Sequence, residues 1–369
     1  MQSQTQQEKT DKPGLIPRQA MPENLESPIT TIQSWITPND LFYLRNHLGY
    51  PNISSDNWSL AANGEVSNPL TLSLTVLQKM PQVSKFVTIE CSGNKRGAML
   101  PNPVGHPWQL GAVGNAKWTG VPLTYLLDQV GLKDNVQEII FIGSDTGTRP
   151  DLPQTVHFAR SLPAKRELLN ECILALKMND EPIPFKHGAP LRLIVPGWYG
   201  MAHVKWLNTI TASAKPFRGP FQSVDYVYVT NPDDYRDAVP VREIKVNSII
   251  TWPSQGIEVP VNTHVVRGLA WTGTGTIAKV EVSVDNGATW AEAKLTSPEY
   301  QPYTWTFWEF PWAVKATGQY LIKARAYDTA GNIQPMVAPW NLKGYGNNSI
   351  HQVAVNVPKL PNIQVDAGF

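Results

Sequence analysis

The sequence predicts an α+β domain built on a mixed sheet, followed by an all-β sandwich of the immunoglobulin-like type. Three observations predict it. Two capped helical stretches stand among short β-branched runs before residue 243, and only strand-like runs recur after it. The length, 369 residues, exceeds what one ordinary core serves. The 32 prolines and 26 glycines add many turns and argue against long helices.

Residues 1–28, rich in Gln, Pro and Glu, are expected to be flexible or draped over a surface. Residues 29–242 form the predicted α+β domain. Ser73 caps a helix that presents Leu74, Leu77 and Met80 and stops at Pro81. A second helix covers 123–130 and closes on Gly131. Strands are expected at 86–90, 138–142, 172–177 and 191–195. Residues 243–369 form the predicted sandwich, with strands at 248–252, 263–270, 277–284, 320–327 and 350–357. Alternation is clear in Val280-Glu281-Val282-Ser283-Val284, and Asp285-Asn286-Gly287 supplies a tight hairpin turn.

Composition narrows the function. A net charge of +1 gives no footprint for nucleic acid and no general attraction to anionic membranes. No apolar run approaches the ~20 residues that span a bilayer. The polar start, Met1-Gln2-Ser3-Gln4, has no apolar stretch of signal-peptide type. A cytoplasmic location is expected for the chain as it reads, and a periplasmic one if a leader has been removed. Hydrophobic content of 42% with 17% charged residues describes an ordinary globular protein.

The chain has two cysteines. Cys172 reads as part of a buried strand. Cys91 lies where a strand breaks into Glu90-Cys91-Ser92-Gly93-Asn94-Lys95-Arg96, with cations four and five residues on. That position exposes a thiol and favours its thiolate, although a lone cysteine is more often buried and inert. Three further segments place polar groups where folding alone has no need of them. They are Phe42-Tyr43-Leu44-Arg45-Asn46-His47, then Gly143-Ser144-Asp145-Thr146-Gly147, then the run from His187 through Arg192 to His203-Val204-Lys205-Trp206. Taken singly, these are a solvated turn, an Asx-turn and a decorated strand edge. If Arg45, Lys95, Arg96, Arg192 and Lys205 converge, they make a pocket for phosphate and oxyanion ligands.

Together the four segments, with Asn115-Ala116-Lys117-Trp118-Thr119-Gly120-Val121-Pro122-Leu123, resemble the molybdenum-cofactor domain of the sulfite oxidase family. The second domain is similar to the family's dimerisation domain through Ser283-Val284-Asp285-Asn286-Gly287-Ala288-Thr289-Trp290 and Ala338-Pro339-Trp340-Asn341-Leu342. The resemblance covers about residues 30–358 and implies molybdenum held by molybdopterin. It implies Cys91 as the thiolate on the metal, and Phe42, Tyr43, Leu44, Arg45, Asn46, Asp145, His187, Arg192, His203, Val204 and Lys205 as cofactor contacts. Arg45 and Arg96, with His47 beside them, match the family's cations that hold the anionic substrate. The implied reaction is oxidation of sulfite to sulfate by oxygen-atom transfer. Reduction of a sulfoxide or a nitrogen oxyanion with the same cofactor is the alternative, and a cofactor-free anion-binding protein is the bland one.

Three positions depart from the family pattern. Phe217 aligns with an active-site tyrosine of sulfite-oxidising members, while Ala291 and Thr306 stand where animal-type members carry arginines. Neither a cytochrome b5-like His-Pro-Gly-Gly nor a flavin segment is present, so a separate acceptor, such as a cytochrome or oxygen, is expected to receive the electrons. Trp271, Trp290, Trp305, Trp308 and Trp312 exceed what one small sandwich core needs and predict a homodimer.

Overall fold

A computed structural model describes residues 14–54, 56–298 and 301–359. The expected flexibility of residues 1–13 lies outside the described residues. The chain divides into two compact units. The first comprises Met1–Ile244 together with Ala338–Asn347, and the second Lys245–Val337 with Asn348–Phe369. Sequence alone assigned 338–347 to the sandwich, because those residues lie inside its stretch of chain. They fold with the first unit instead.

Two five-stranded sheets build the first unit. One is antiparallel and runs Glu181–Pro182, Ile173–Met178, Val113–Pro122, Val83–Glu90, with Arg192–Ile194 also paired to Ile173–Met178. The other is mixed: Leu70–Ser73, Ser59–Gly64, Leu207–Ser213, Glu138–Arg149, Leu152–Pro163, with Leu207–Ser213 parallel to Ser59–Gly64. Both predicted helices form. Ser73 Oγ accepts the Val76 amide at the start of Leu74–Lys79, and Gly131 ends Leu123–Val130 at φ +66°. The expectation for residues 14–28 fails. Ile16–Gln19 pairs with Asn24–Glu26, and Leu25, Asn24 and Glu26 are buried. The Glu26 carboxylate accepts the Gln109 and Gly111 amides, partners too distant in sequence for composition to reveal.

The second unit is a sandwich of two antiparallel four-stranded sheets. One runs Asn247–Trp252, Thr263–Trp271, Thr306–Ala313, Lys294–Leu295, and the other Ala291–Glu292, Ile277–Ser283, Gly318–Asp328, His351–Val357. Val266, Val280, Val282, Trp308, Ile322 and Val353 fill the space between them. Asn286 and Gly287 adopt φ of +64° and +94°, the backbone that the predicted hairpin turn requires. The tryptophans find partners within one chain, so their number is not itself an argument for the expected homodimer. Trp271, Trp305, Trp308 and Trp312 are buried within a single chain, and Trp290 stacks under Arg325 at 4.1 Å. Among the described residues, no helix is long and apolar enough to cross a membrane.

Candidate active site

A pocket opens in the first unit. Its wall takes twelve of the fourteen site residues that the sequence pointed to: Phe42, Tyr43, Leu44, Arg45, Asn46, His47, Cys91, Asp145, His187, Arg192, His203 and Lys205. Ser92, Phe158, Met201 and Tyr226 join them, none of which the sequence singled out. Val204 and Arg96 do not line it. Val204 is buried in the backbone ladder with Leu193, and Arg96 spends its guanidinium on the carbonyls of Lys343 and His106 at 2.7 and 2.9 Å. Of the five cations expected to converge, Arg45, Arg192 and Lys205 reach the pocket, while Lys95 and Arg96 stay behind it.

Cys91 arrives where the Val83–Glu90 strand ends. The turn after it is locked by Asn94, whose amide nitrogen donates to Glu90 and whose side-chain oxygen accepts the Ala112 amide, both at 3.1 Å. Lys95 closes the turn in the left-handed region at φ 64°. The thiol is buried rather than exposed, and burial pushes it up, with Arg45 and Arg96 opposing. The local reading of an exposed thiolate is thereby corrected: the metal-free thiol keeps its proton.

The Phe42–His47 loop is set by the amino-terminal hairpin. Asn24 Oδ1 accepts the Asn46 amide at 2.8 Å, and the backbones of Leu25 and Leu44 exchange hydrogen bonds at 2.8 and 3.0 Å. Among the described residues Arg45 donates to neutral oxygens alone, Asn24 Oδ1 at 3.3 Å and the Asn46 carbonyl, and it lines the pocket with no carboxylate partner. Lys205 donates to Asn46 Oδ1 and to the Lys186 carbonyl. Gly188, at φ +114°, lets its chain close against Lys205, where an added Cβ would lie 2.9 Å from the lysine Cβ.

Asp145 is pushed up to about 7 by burial, against the pull of Lys205, and its Oδ1 has no hydrogen-bond partner among the described residues. Arg192 lies over Trp118 at 5.2 Å and donates to the His187 carbonyl, and its Nε has no partner. His203 accepts the Val195 amide at Nδ1 and meets the Trp198 carbonyl through Nε2, and burial brings it down to about 3. The His47 imidazole is held well below its usual range by burial and then by Arg45, Lys205, Arg149 and Arg160. It is neutral, stacks on Phe158 at 4.9 Å, and hydrogen-bonds the Tyr226 hydroxyl at 2.6 Å. Phe217, the position aligned with a family tyrosine, is elsewhere and donates its amide to Glu138. Two tyrosines line the pocket, Tyr43 and Tyr226, and the Tyr226 hydroxyl meets His47 Nε2.

The oxidoreductase molybdopterin binding domain model matches residues 47–221, and the Mo-co oxidoreductase dimerisation domain model matches 238–358. Sulfite oxidase of Gallus gallus is 33% identical over 360 residues, covering 92% of this chain and 77% of its own. The chain belongs to the sulfite oxidase family. Mitochondrial sulfite oxidase of Rattus norvegicus is 35% identical over 365 residues, 94% of this chain, and the chain spans 66% of that relative's length. The crystal structure of the sulfane dehydrogenase SoxCD from Paracoccus pantotrophus superposes with a TM-score of 0.79 at 27% identity, covering 92% and 87% of the two chains. Membership implies the molybdenum–molybdopterin cofactor, and the pocket fits it. Three buried polar atoms of its lining residues, Asp145 Oδ1, Arg192 Nε and Ser92 Oγ, have no hydrogen-bond partner among the described residues. An unpaired acceptor and an unpaired cationic donor in one wall suit a ligand that carries both N–H groups and anionic oxygens.

Proposed function

We propose that this chain is a molybdenum-cofactor oxidoreductase that converts sulfite to sulfate. One observation carries the reading: Cys91 shares a pocket with Arg45, whose guanidinium among the described residues meets neutral oxygens alone. When bound, the cofactor supplies the two-electron oxygen-atom transfer. Cys91 would ligate the metal, a soft sulfur suited to it, and would give up its proton on doing so. Asp145 would offer a carboxylate to N–H donors of the cofactor, and Arg192 and Lys205 would offer cations to its anionic oxygens, with Phe42, Tyr43, Leu44, His187 and His203 lining the same pocket.

Arg45 draws in the anion, and its charge counts for more in a partly dry pocket than in water. His47, kept neutral by the cations around it, adds no charge and fixes the Tyr226 hydroxyl. Sulfite and water yield sulfate, two protons and two electrons, and a separate acceptor such as a cytochrome or oxygen takes the electrons. The second domain pairs two chains into a homodimer, a reading that the dimerisation-domain match supports. The test is metal analysis of the purified protein followed by sulfite-dependent ferricyanide reduction. Molybdenum with turnover supports the reading. Molybdenum without turnover overturns sulfite as substrate and directs assays to nitrate and sulfoxide reduction.

A further inference from the structure

The Ala338–Asn347 segment leaves the sandwich's stretch of chain and folds with the first unit. Its hydrogen bonds reach three places: the 101–104 stretch, where Trp340 Nε1 donates to the Pro101 carbonyl at 2.8 Å and the Leu342 carbonyl accepts the Val104 amide at 3.1 Å, then the Cys91 turn and the stretch around Tyr226. On the Cys91 turn, the Gly346 amide donates to the Ser92 carbonyl at 2.8 Å and Asn347 Nδ2 to the Lys95 carbonyl at 2.8 Å. The Lys343 carbonyl accepts Arg96 Nε at 2.7 Å. On the stretch around Tyr226, Lys343 Nζ donates to the carbonyls of Val224 and Asp225, and the Leu342 amide to Val229 at 2.8 Å.

Between these anchors, Tyr345 stacks on Tyr226 with ring centroids 5.2 Å apart. Cations flank the pair. Arg160 lies 5.5 Å over Tyr226, and Arg96 lies 5.2 Å over Tyr345. Arg160 is 1% exposed; its Nη1 donates to the Phe221 carbonyl, its Nε and Nη2 have no hydrogen-bond partner among the described residues, and the face of Tyr226 is a further contact for its charge. The flanking glycines place the ring: Gly344 and Gly346 have φ of +59° and +61°, and a Cβ on Gly344 would lie 2.6 Å from Pro103 and 2.8 Å from Arg96. A segment that only filled volume would not need two left-handed glycines, nor would it aim three bonds at one five-residue turn.

We propose that Tyr345 and Asn347 are positioning residues for the pocket. Tyr345 holds the Tyr226 ring in its wall, and Asn347, with the Gly346 amide, fixes the turn that presents Cys91. This rests on the reading of Cys91 as the metal-binding thiol, but its test does not require sulfite to be the substrate.

The first readout uses the full-length, cofactor-free chain. Native-state alkylation by iodoacetamide is followed at Cys91 and Cys172 separately by peptide mass, since both are buried free thiols. Asn347→Ala is expected to speed alkylation of Cys91 about tenfold with Cys172 unchanged, and Asn347→Ser, which keeps a polar group, to be intermediate. The second readout uses the molybdenum-loaded enzyme. Tyr345→Leu is expected to raise KM for sulfite at least fivefold with kcat altered less, and Tyr345→Phe, which keeps the stack, to restore it. Parallel acceleration at both cysteines would mean general loosening and would overturn the proposal. So would an unchanged Cys91 rate, or a Tyr345→Phe enzyme as impaired as Tyr345→Leu. A chain that binds molybdenum yet ignores sulfite defeats the proposed substrate and leaves the alkylation result to decide this inference alone.

Discussion

Replacing Arg45 with glutamine isolates the charge that the pocket offers to an incoming anion. The guanidinium has no carboxylate partner among the described residues, and its hydrogen bonds end on Asn24 Oδ1 and the Asn46 carbonyl. The loop does not depend on it, because the Asn46 amide is held by Asn24 at 2.8 Å and the Asn46 side chain by the Glu23 carbonyl at 2.8 Å. Two unit charges 4 Å apart attract by about 4 kcal/mol at the effective dielectric of a protein surface. Desolvation of the guanidinium and the anion takes back part of this, leaving the roughly 1.5–3 kcal/mol of a charge-assisted hydrogen bond. Arg45→Gln should therefore lower kcat/KM for sulfite by about 10- to 150-fold. Most of the loss should appear in KM, because the cation holds substrate before any atom moves. The wild-type KM should rise with ionic strength, and the variant's should rise less. The same change relieves one of the charges depressing His47, so that imidazole should titrate at higher pH in the variant. The assay is steady-state ferricyanide reduction over a sulfite and salt series, on preparations matched for molybdenum. A kcat/KM within twofold of wild type at low salt would refute the assignment of Arg45 as the anion's anchor.

Tyr226→Phe should reduce kcat/KM by about 10-fold through loss of a hydroxyl facing an anion, whereas Phe217→Tyr should leave it within twofold, because Phe217 is not part of the pocket wall. Equal effects of the two changes, measured by the same assay, would reverse that distinction. Lys95 is brought down to about 7 by burial, against the pull of Glu90, so the folded state binds fewer protons than the unfolded chain between about pH 7 and 10.5. Stability should rise with pH across that window, by at most about 1.4 kcal/mol per unit, and Lys95→Met should remove that part of the slope in denaturant titrations. Gly111→Ala would put a Cβ 1.7 Å from the Ser27 carbonyl oxygen and strain the join between the amino-terminal hairpin and the sheet. A loss of about 3 kcal/mol is expected, and calorimetry should show the midpoint lower by roughly 6–12 °C.

What the sequence revealed depended on how local each signal was. Ser73 and Gly131 mark helix ends by chemistry confined to one turn, and both ends fall where that chemistry puts them. The Asp285-Asn286-Gly287 turn is equally local. Thr306–Ala313 went unread because Thr-Phe-Trp-Glu-Phe-Pro-Trp-Ala alternates poorly and contains a proline, although it pairs along its length with Thr263–Trp271. Of the fourteen site residues, all in matched motifs, twelve came together in one pocket, and Arg96 and Val204 did not. Tyr226 was missed because it lies after the π-helical turn Phe221–Asp225, where its own sequence neighbourhood carries no motif. Its role is visible only through His47, 179 positions away in the chain.

The cations show why the remainder needed coordinates. Arg45, Lys95 and Arg96 look alike in sequence, each basic and each beside a polar turn. The structure separates them by what meets their charge. Arg96 is saturated by carbonyls and an aromatic face, and Lys95 is so deeply buried that its charged form is disfavoured near neutrality. Arg45 alone of the three lines the pocket, with its charge opposed only by neutral oxygens. Arg160, which no motif singles out, is buried with two nitrogens unbonded behind the tyrosine that faces the pocket. A residue's type gives the charge it can carry, but whether that charge is spent on the fold or left for a ligand depends on acceptors contributed by distant parts of the chain. Here those acceptors come from both ends, from Asn24 in the amino-terminal hairpin and from Lys343 in the segment that returns from the sandwich's stretch of chain.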